Sequence, residues 1–327
     1  MQVRTLTTID NNTIKMLDAN VIAGVEGYGE GIFVGGGWSD VHEDPIVTIT
    51  GNTIDNFDMG IDIYEFADVT ITGNDITNND YGIYTNAADA GEGWAQTVAA
   101  HCNNIVGNSD YGVYNSENSA TIDATNNWWG DASGPAHSPG LGDNVSDNVD
   151  YEPWLMAPWP SAETEETATE TFDGDGTMPD TPTGGNVTIN ATGNHTVTTA
   201  KYAENPGGES TFQATGDYWD VYLDNATNVT SVTIEFCPAD PGDTIYYYDT
   251  TAGWKPCSDQ VYADGCITVT ITDATEPSLA DLAGQEFARG RQGAPEQVPE
   301  YNIFGLAALI GILSVVLAVA TLKRKRG

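Results

Sequence analysis

The stretch "TITGNTI", residues 48–54, recurs along the first half of the chain. It matches "TIDNNTI" at 8–14 and "TITGNDI" at 70–76. "AAHCNNI" at 99–105 is a weaker copy and "ATNNWW" at 124–129 a distorted one. The copies align Asn12, Asn52, Asn74, Asn103 and Asn127. A second motif trails them: "GEGIF" (29–33), "DMGIDIY" (58–64), "DYGIY" (80–84) and "DYGVY" (110–114). Its glycines, Gly31, Gly60, Gly82 and Gly112, step by 29, 22 and 30 residues. A period of this length with two short β-branched strands per copy predicts a parallel β-solenoid. One coil cannot bury its apolar residues alone, so coils stack and share one core. Alternation puts Ile49, Ile71 and Ile76 inward and their Thr neighbours outward. An Asn at the turn tolerates left-handed backbone, and its amide can bond the equivalent Asn one rung away, as in other stacked β structures. The repeating Asn and Gly residues therefore read as structural rather than catalytic.

Two insertions break the period, "VGGGWSDVHEDP" (34–45) and "TNAADAGEGWAQ" (85–96). Insertions in repeat proteins tend to share one face and to carry binding. Trp38 and Trp94 either form a stacking platform for sugar rings or pack over the solenoid flank. In "NNWWGDASGP" (126–135), Asn127 keeps the repeat register, so the Trp pair belongs to the last, altered rung. Trp128, Trp129, Gly130 and Pro135 then read as an end cap. It would cover apolar core and unpaired strand edges that otherwise invite aggregation. Alternation places Trp129 inward, aligned with Ile54 and Ile76, and Trp128 outward.

The run from Asn126 to Leu155, taken with the repeats, resembles right-handed parallel β-helix proteins of the pectin-lyase-like group. That group includes the copper-insertion accessory proteins of nitrous oxide reductase and many surface proteins. The resemblance covers residues 5–155 and implies the fold rather than an activity, since the fold carries lyases, hydrolases, adhesins and inert stalks.

The chain has 327 residues, 48 acidic and 10 basic, for a formal net charge of −38. Such a chain has nothing with which to neutralise phosphates, which excludes nucleic acid as a partner. It attracts cations, either as a generally acidic surface or at specific sites. Within "DGDG", Asp173 and Asp175 alternate like the start of a calcium loop, without the distal Glu of an EF-hand. Calcium is the one cofactor this pattern suggests. Of the four cysteines, Cys257 and Cys266 flank a short loop and are the expected disulfide in an oxidising compartment. No C-x-x-C pair points to zinc.

The composition divides the chain further. Residues 1–160 read as the β-helix, and 161–185, acidic and rich in Thr, Pro and Gly, as a linker. Residues 186–275 alternate polar and apolar positions between Gly, Pro and Asp turns, which predicts an antiparallel β-sandwich. Residues 276–302 read as a stalk. "IFGLAALIGILSVVLAVATL" (303–322) carries no charge and is long enough, at about 1.5 Å per residue, to cross a bilayer as a helix. The basic tail 323–327 places the C-terminus in the cytoplasm and the rest outside. The expected fold is thus all-β with one C-terminal transmembrane helix. N-x-S/T sequons occur at Asn11, Asn144, Asn186, Asn190, Asn194, Asn225 and Asn228, and the cluster between 186 and 228 reads as a glycoprotein surface. "MQVRTLTTIDNNTI" has no apolar signal-peptide core and begins in strand-like sequence, so further sequence is expected before it.

"VPEY" (298–301), the apolar span and "KRKR" together resemble the Pro-Glu-Phe type of archaeal sorting signal. The resemblance implies an archaeosortase as partner. Pro299 and Glu300 match the signal, and Tyr301 stands where Phe is usual.

Three functions follow for comparison. A uronate lyase needs a cationic base and clamp, yet no Lys or Arg lies between Lys15 and Lys201. A glycoside hydrolase needs paired carboxylates. Asp58, Asp80 and Asp110 recur at one repeat position, as turn residues do, whereas an active site breaks a repeat once. A copper accessory role would need His, Cys and Met to converge. His42, His101 and His137 fall at different points of the repeat. A membrane-anchored structural or adhesive surface protein of an archaeon, touching glycans or surface-layer proteins, requires no chemistry that the sequence lacks.

Overall fold

The computed structural model describes residues 6–15, 29–35, 45–64, 67–86, 97–116, 121–137 and 139–291. Its first half repeats a three-strand rung. The rungs are β1 (Leu6–Asp10), β2 (Thr13–Lys15) and β3 (Glu30–Gly35); β4 (Ile46–Thr50), β5 (Thr53–Asp55) and β6 (Met59–Tyr64); β7 (Asp68–Thr72), β8 (Asp75–Thr77) and β9 (Tyr81–Asn86); and β10 (Thr97–His101), β11 (Asn104–Val106) and β12 (Tyr111–Asn115). Two short strands follow, β13 (Ile122–Asp123) and β14 (Val149–Asp150). Each strand pairs in parallel with its counterpart one rung on. This makes three parallel sheets, in orders β1-β4-β7-β10-β13-β14, β2-β5-β8-β11 and β3-β6-β9-β12. The chain is therefore a parallel β-helix with three strands per coil, one more than the repeat suggests. The extra strand is the second motif, "DYGIY".

Register does the packing. Ile14, Ile54, Ile76 and Ile105 lie in one column, and Ile32, Ile61, Ile83 and Val113 in another. Ile54, Ile61, Ile76, Ile83 and Ile105 are fully buried, as are Ile49 and Ile71. Each buried Ile removes a whole side chain from water, worth about 1.5–3 kcal/mol.

The asparagine column runs as a hydrogen-bonded ladder. The backbone N–H and the side-chain amide of Asn52 both donate to Oδ1 of Asn74, at 2.8 and 3.0 Å. Asn12 donates in the same way to Asn52, Asn74 to Asn103, and Asn103 to Asn127. The left-handed residue of the turn is not the ladder Asn but the one before it. Asn11, Gly51, Gly73, Cys102 and Asn126 take that conformation. This frees the ladder Asn to point its amide along the solenoid axis.

The second half holds two antiparallel sheets. Its strands are β15 (Thr164–Asp173), β16 (Gly176–Met178), β17 (Gly184–Ala191), β18 (Asn194–Tyr202), β19 (Gln213–Leu223), β20 (Val229–Phe236), β21 (Thr244–Asp249), β22 (Gly253–Pro256), β23 (Gln260–Ala263), β24 (Cys266–Ile271) and β25 (Ala283–Arg291). One sheet has the order β15-β18-β19-β25-β21-β22 and the other β16-β17-β20-β24-β23. Val197, Trp219, Val221 and Phe287 of the first sheet meet Ile189, Val232, Ile234 and Phe236 of the second in a shared core.

Two boundaries and the disulfide differ from the sequence reading. Residues 164–173, expected in a linker, form β15, which pairs with β18 along nine registered positions from Thr164 to Asp173. "TEETATETFD" is polar enough to resemble a linker, and an edge strand tolerates that because one of its sides stays in water. Residues 283–291, expected in a stalk, form β25, an inner strand between β19 and β21. The sandwich thus spans 164–291. The disulfide joins Cys237 to Cys266 rather than Cys257 to Cys266. Phe236 and Ile267 are paired on β20 and β24, so the cysteines next to them face each other, with Cα atoms 4.6 Å apart. Cys257 is a free, buried thiol.

The β-helix and the sandwich share core. One apolar cluster runs from Ile32 through Trp129, Trp154 and Met156 to Tyr202, Tyr218 and Trp254. Polar contacts reinforce it. Thr164 donates its N–H to Oδ1 of Asn126, and its hydroxyl to the carbonyl of Trp154. The expected stalk remainder 292–302, with Pro299, Glu300 and Tyr301, the span 303–322 and the tail 323–327 lie outside the described residues. Among the described residues no helix is long and apolar enough to cross a membrane.

Candidate functional site: an aromatic face on the β-helix

The third sheet, β3-β6-β9-β12, bears the most distinctive outer face. Gly82 and Ile83 are both buried, so strict alternation breaks there and Tyr84 returns to the side that Tyr81 occupies. Gly112 and Val113 do the same between Tyr111 and Tyr114. A Cβ at Gly82 would lie 2.5 Å from the carbonyl oxygen of Gly112. Only glycine permits that approach, which explains the "DYGIY" and "DYGVY" signature.

The register then stacks like on like. Tyr81 and Tyr111 are stacked with centroids 6.1 Å apart and planes 11° apart, and Tyr84 and Tyr114 with 5.4 Å and 26°. Tyr81 meets Tyr84 edge-on at 5.4 Å, and Tyr111 meets Tyr114 at 4.8 Å. Such ring pairs are worth about 0.5–1.5 kcal/mol beyond their buried area. All four rings are half-buried, so they fix one another while part of each meets solvent.

The Tyr84–Tyr114 row continues through Asp62 to Phe33. Phe33 is 56% exposed, while Asp62 is buried and its Oδ1 has no hydrogen-bond partner. Burial, and then the charge and hydrogen bond of neighbouring Glu30, push the Asp62 carboxyl up to about 6. Burial and the charge of Asp110 likewise push the Tyr81 phenol up. The face therefore combines stacked rings, hydroxyl groups and one carboxyl that keeps its proton in mild acid. Such a surface suits the apolar faces and hydroxyl edges of sugar rings.

The insertion bearing Trp38 follows directly after β3, and the one bearing Trp94 directly after β9. Both belong to connections leaving this sheet, and both tryptophans lie outside the described residues, as does His42. The sequence reading left these tryptophans open between a sugar platform and flank packing, and passed over the tyrosines. The signal was present in the paired Tyr of each "DYG[IV]Y".

The other residues singled out by sequence fall elsewhere. Trp128 bridges to Asn104, which sets Trp129 in the column of Ile105, Ile76 and Ile54. Trp129 is fully buried and Trp128 half-buried. Beyond them residues 142–155 add a further partial layer. Gly134, held in left-handed backbone, lies against the Trp154 ring, and the turn at Gly134 and Pro135 carries the chain back. Gly130, also left-handed, sits over Val106. A second ladder went unread: Asn79 donates to Asn108, and Asn108 to Asp143. Asp58 and Asp80 accept turn hydrogen bonds from the Gly29 N–H and the Ser109 hydroxyl.

Asn11, Asn144, Asn186, Asn190, Asn194, Asn225 and Asn228 are all exposed. Asp175 accepts the N–H of Ala191, and Asp173 stands exposed at the end of β15. His101 contacts Thr125 and Asp123, whereas His137 contacts Tyr151. Among the described residues no three His, Cys, Asp or Glu side chains converge as metal ligands.

No known family model matches the sequence. No curated protein matches it either. Among solved structures, the chain is similar to the Dettilon tailspike protein at 15% identity and a TM-score of 0.24, covering 86% of this chain and 56% of that one. It is also similar to the enzymatically active domain of bacteriophage CBA120 tailspike protein 4, at 10% identity and a TM-score of 0.16, covering 86% of this chain and 41% of that one. The chain spans about half the length of these structures.

Proposed function

We propose that this chain is a membrane-anchored extracellular surface protein of an archaeon, structural and adhesive in role, whose β-helix binds neutral glycans. The stacked tyrosine face carries the binding part of this reading. Its rings are held rigid by one another, so little side-chain freedom is lost when a ligand docks. The anchor, the sorting signal and its archaeosortase, and surface-layer partners rest on the sequence of residues 298–327. The exposed sequons support an outside location. A net charge of −38 supports neutral over anionic glycans.

A glycoside hydrolase is the competing reading, because Asp62 and Glu30 form a carboxyl pair with one member raised. Hydrolysis requires carboxyl groups about 5–9.5 Å apart, with a water or a sugar between them. Asp62 and Glu30 share a hydrogen bond, which supports binding over hydrolysis.

A glycan array probed with the full chain and with the double variant Tyr84→Ala, Tyr114→Ala tests the proposal, alongside an assay for newly released reducing or unsaturated ends. Binding that the variant loses, with no released ends, is expected. Sugar release by the unaltered chain would favour the enzyme, and array binding unchanged in the variant would remove the tyrosine face.

A further inference from the structure

Asp220 lies at the middle of β19, on the side of that sheet facing away from the sandwich core. Its strand neighbours on that side, Tyr218 and Tyr222, belong to or pack against the apolar cluster shared with the β-helix. Trp219 and Val221, on the opposite side, belong to the sandwich core. Asp220 is 3% exposed. Tyr202 on β18 donates its hydroxyl to Oδ2 at 2.9 Å, and Oδ1 has no partner. On the other flank, register sets Glu286 of β25 directly beside it.

The titratable and charged groups facing this point are few. β18 brings Tyr202, β19 itself brings Tyr218 and Tyr222, and β25 brings Glu286, which is half-buried and lines an open pocket with Tyr248, Asp249 and Asp281. On the β-helix side lies Asp131; burial, and then the charge of Asp131, raise the Tyr222 phenol. No Lys or Arg among the described residues forms an ion pair with Asp220 or Glu286. A buried carboxylate without a cation is costly, and two side by side are costlier. Burial and then the charge of Glu286 push the Asp220 carboxyl up to about 7, against the smaller opposing effect of the Tyr202 hydrogen bond. Glu286 is also raised, mainly by burial.

We infer that this trio is a proton-operated lock on the joint between the β-helix and the sandwich. Protonated, Asp220 is neutral and its Oδ2 still accepts from Tyr202, so no buried anion stands beside Glu286. Deprotonated, Asp220 is a buried anion with one phenol donor, set beside the half-buried carboxylate of Glu286. The nearest relief is water, admitted by parting the joint. The raised carboxyl stabilises the closed joint below the ordinary aspartate value near 3.9, and that contribution is lost as pH rises through about 7. The joint is therefore tight in mild acid and loosens in alkali.

Amide hydrogen exchange on the full chain, corrected for the intrinsic effect of pH, reads the joint directly. The reporters are the Asn126 N–H, bonded to the Pro153 carbonyl, and the Thr164 N–H, bonded to Asn126. The Val232 and Ile234 amides of the second sheet serve as the control for global unfolding. Between about pH 5 and pH 8.5 the reporters should lose protection by about tenfold or more while the controls hold. Asp220→Asn keeps the shape and the acceptor for Tyr202 but cannot ionise, so its reporters should stay protected throughout. Glu286→Gln removes the neighbouring charge, so its transition should move to lower pH. Reporters that do not respond to pH in the unaltered chain, or an unmoved transition in Glu286→Gln, would overturn the lock. So would a transition that persists in Asp220→Asn.

Discussion

Asn108 donates its backbone N–H and its side-chain amide to the same oxygen, Oδ2 of Asp143, at 2.9 and 2.7 Å. The Gly107 N–H donates to Oδ1 at 2.8 Å. An asparagine ladder must end, because each member accepts from one side and donates to the other. A carboxylate accepts with both oxygens and donates nothing, so Asp143 can stop the ladder with no donor left over. Asp143→Ala strands three donors and should lower the unfolding free energy by about 3 kcal/mol. Asp143→Asn, which turns one acceptor into a donor facing Gly107, should cost about 1 kcal/mol. Urea unfolding of both variants checks the order. Equal costs would refute the terminator role.

The first ladder should be strongest at its centre. Asn74 is fully buried, accepts two bonds from Asn52, and donates to Asn103 and to the Ile49 and Thr72 carbonyls. Asn74→Ala should cost about 3 kcal/mol, and Asn12→Ala, at the exposed first rung, under about 1 kcal/mol. Chemical denaturation distinguishes this gradient from a uniform one.

The two neighbouring tryptophans should behave differently. Trp129→Ala opens a cavity beneath the last rungs and should cost about 3–5 kcal/mol. Trp128→Ala, at a half-buried position, should cost about 1 kcal/mol. Because the Trp129 indole N–H has no partner, Trp129→Phe should cost less than its volume change implies. Thermal unfolding of the three variants tests this.

The cysteine pairing has a direct chemical readout. Alkylation of the denatured, unreduced chain should label Cys102 and Cys257 and leave Cys237 and Cys266 protected. The bond closes a loop with a sequence separation of 29, so Cys266→Ser should lower stability by about 3 kcal/mol. Labelling of Cys237 in place of Cys257 would restore the pairing expected from sequence.

Asp62 adds a pH dependence on the β-helix itself. Its carboxyl is raised to about 6, so its stabilising contribution is complete below the ordinary value near 3.9 and is lost as pH rises through about 6. Asp62→Asn should flatten stability between about pH 4 and pH 7 and leave the variant more stable than the parent at the upper end. Denaturant midpoints across that range give the comparison, and parallel curves would exclude Asp62 as the source.

The β-helix was readable because its determinants are local and repeated. Asn52 and Asn74 stand 22 residues apart in near-identical heptapeptides, so the sequence itself displays which residues stack. Trp129 could be placed inward for the same reason, since Asn127 carries the register into an altered rung. The third strand of each coil was harder to see because a glycine interrupts its alternation, and the four tyrosines went unread with it. The second ladder was hidden because Asn79 and Asn108 stand at different offsets from their Asp-Tyr-Gly motifs, and Asp143 adjoins no such motif.

Long-range pairing decided the rest. Cys237 meets Cys266 only because β20 and β24 are neighbours, and nothing in the spacing of three cysteines states strand order. β15 reads as a linker until β18 offers it an edge to pair with. Asp220 and Glu286, 66 residues apart in the chain, become neighbours only when β19 and β25 align. The repeat by itself determined the solenoid, its isoleucine columns and the Asn12–Asn127 ladder, since stacking converts a sequence period into a contact. The joint, the disulfide and the tyrosine face were decided by tertiary structure, because burial and strand order belong to the folded chain as a whole.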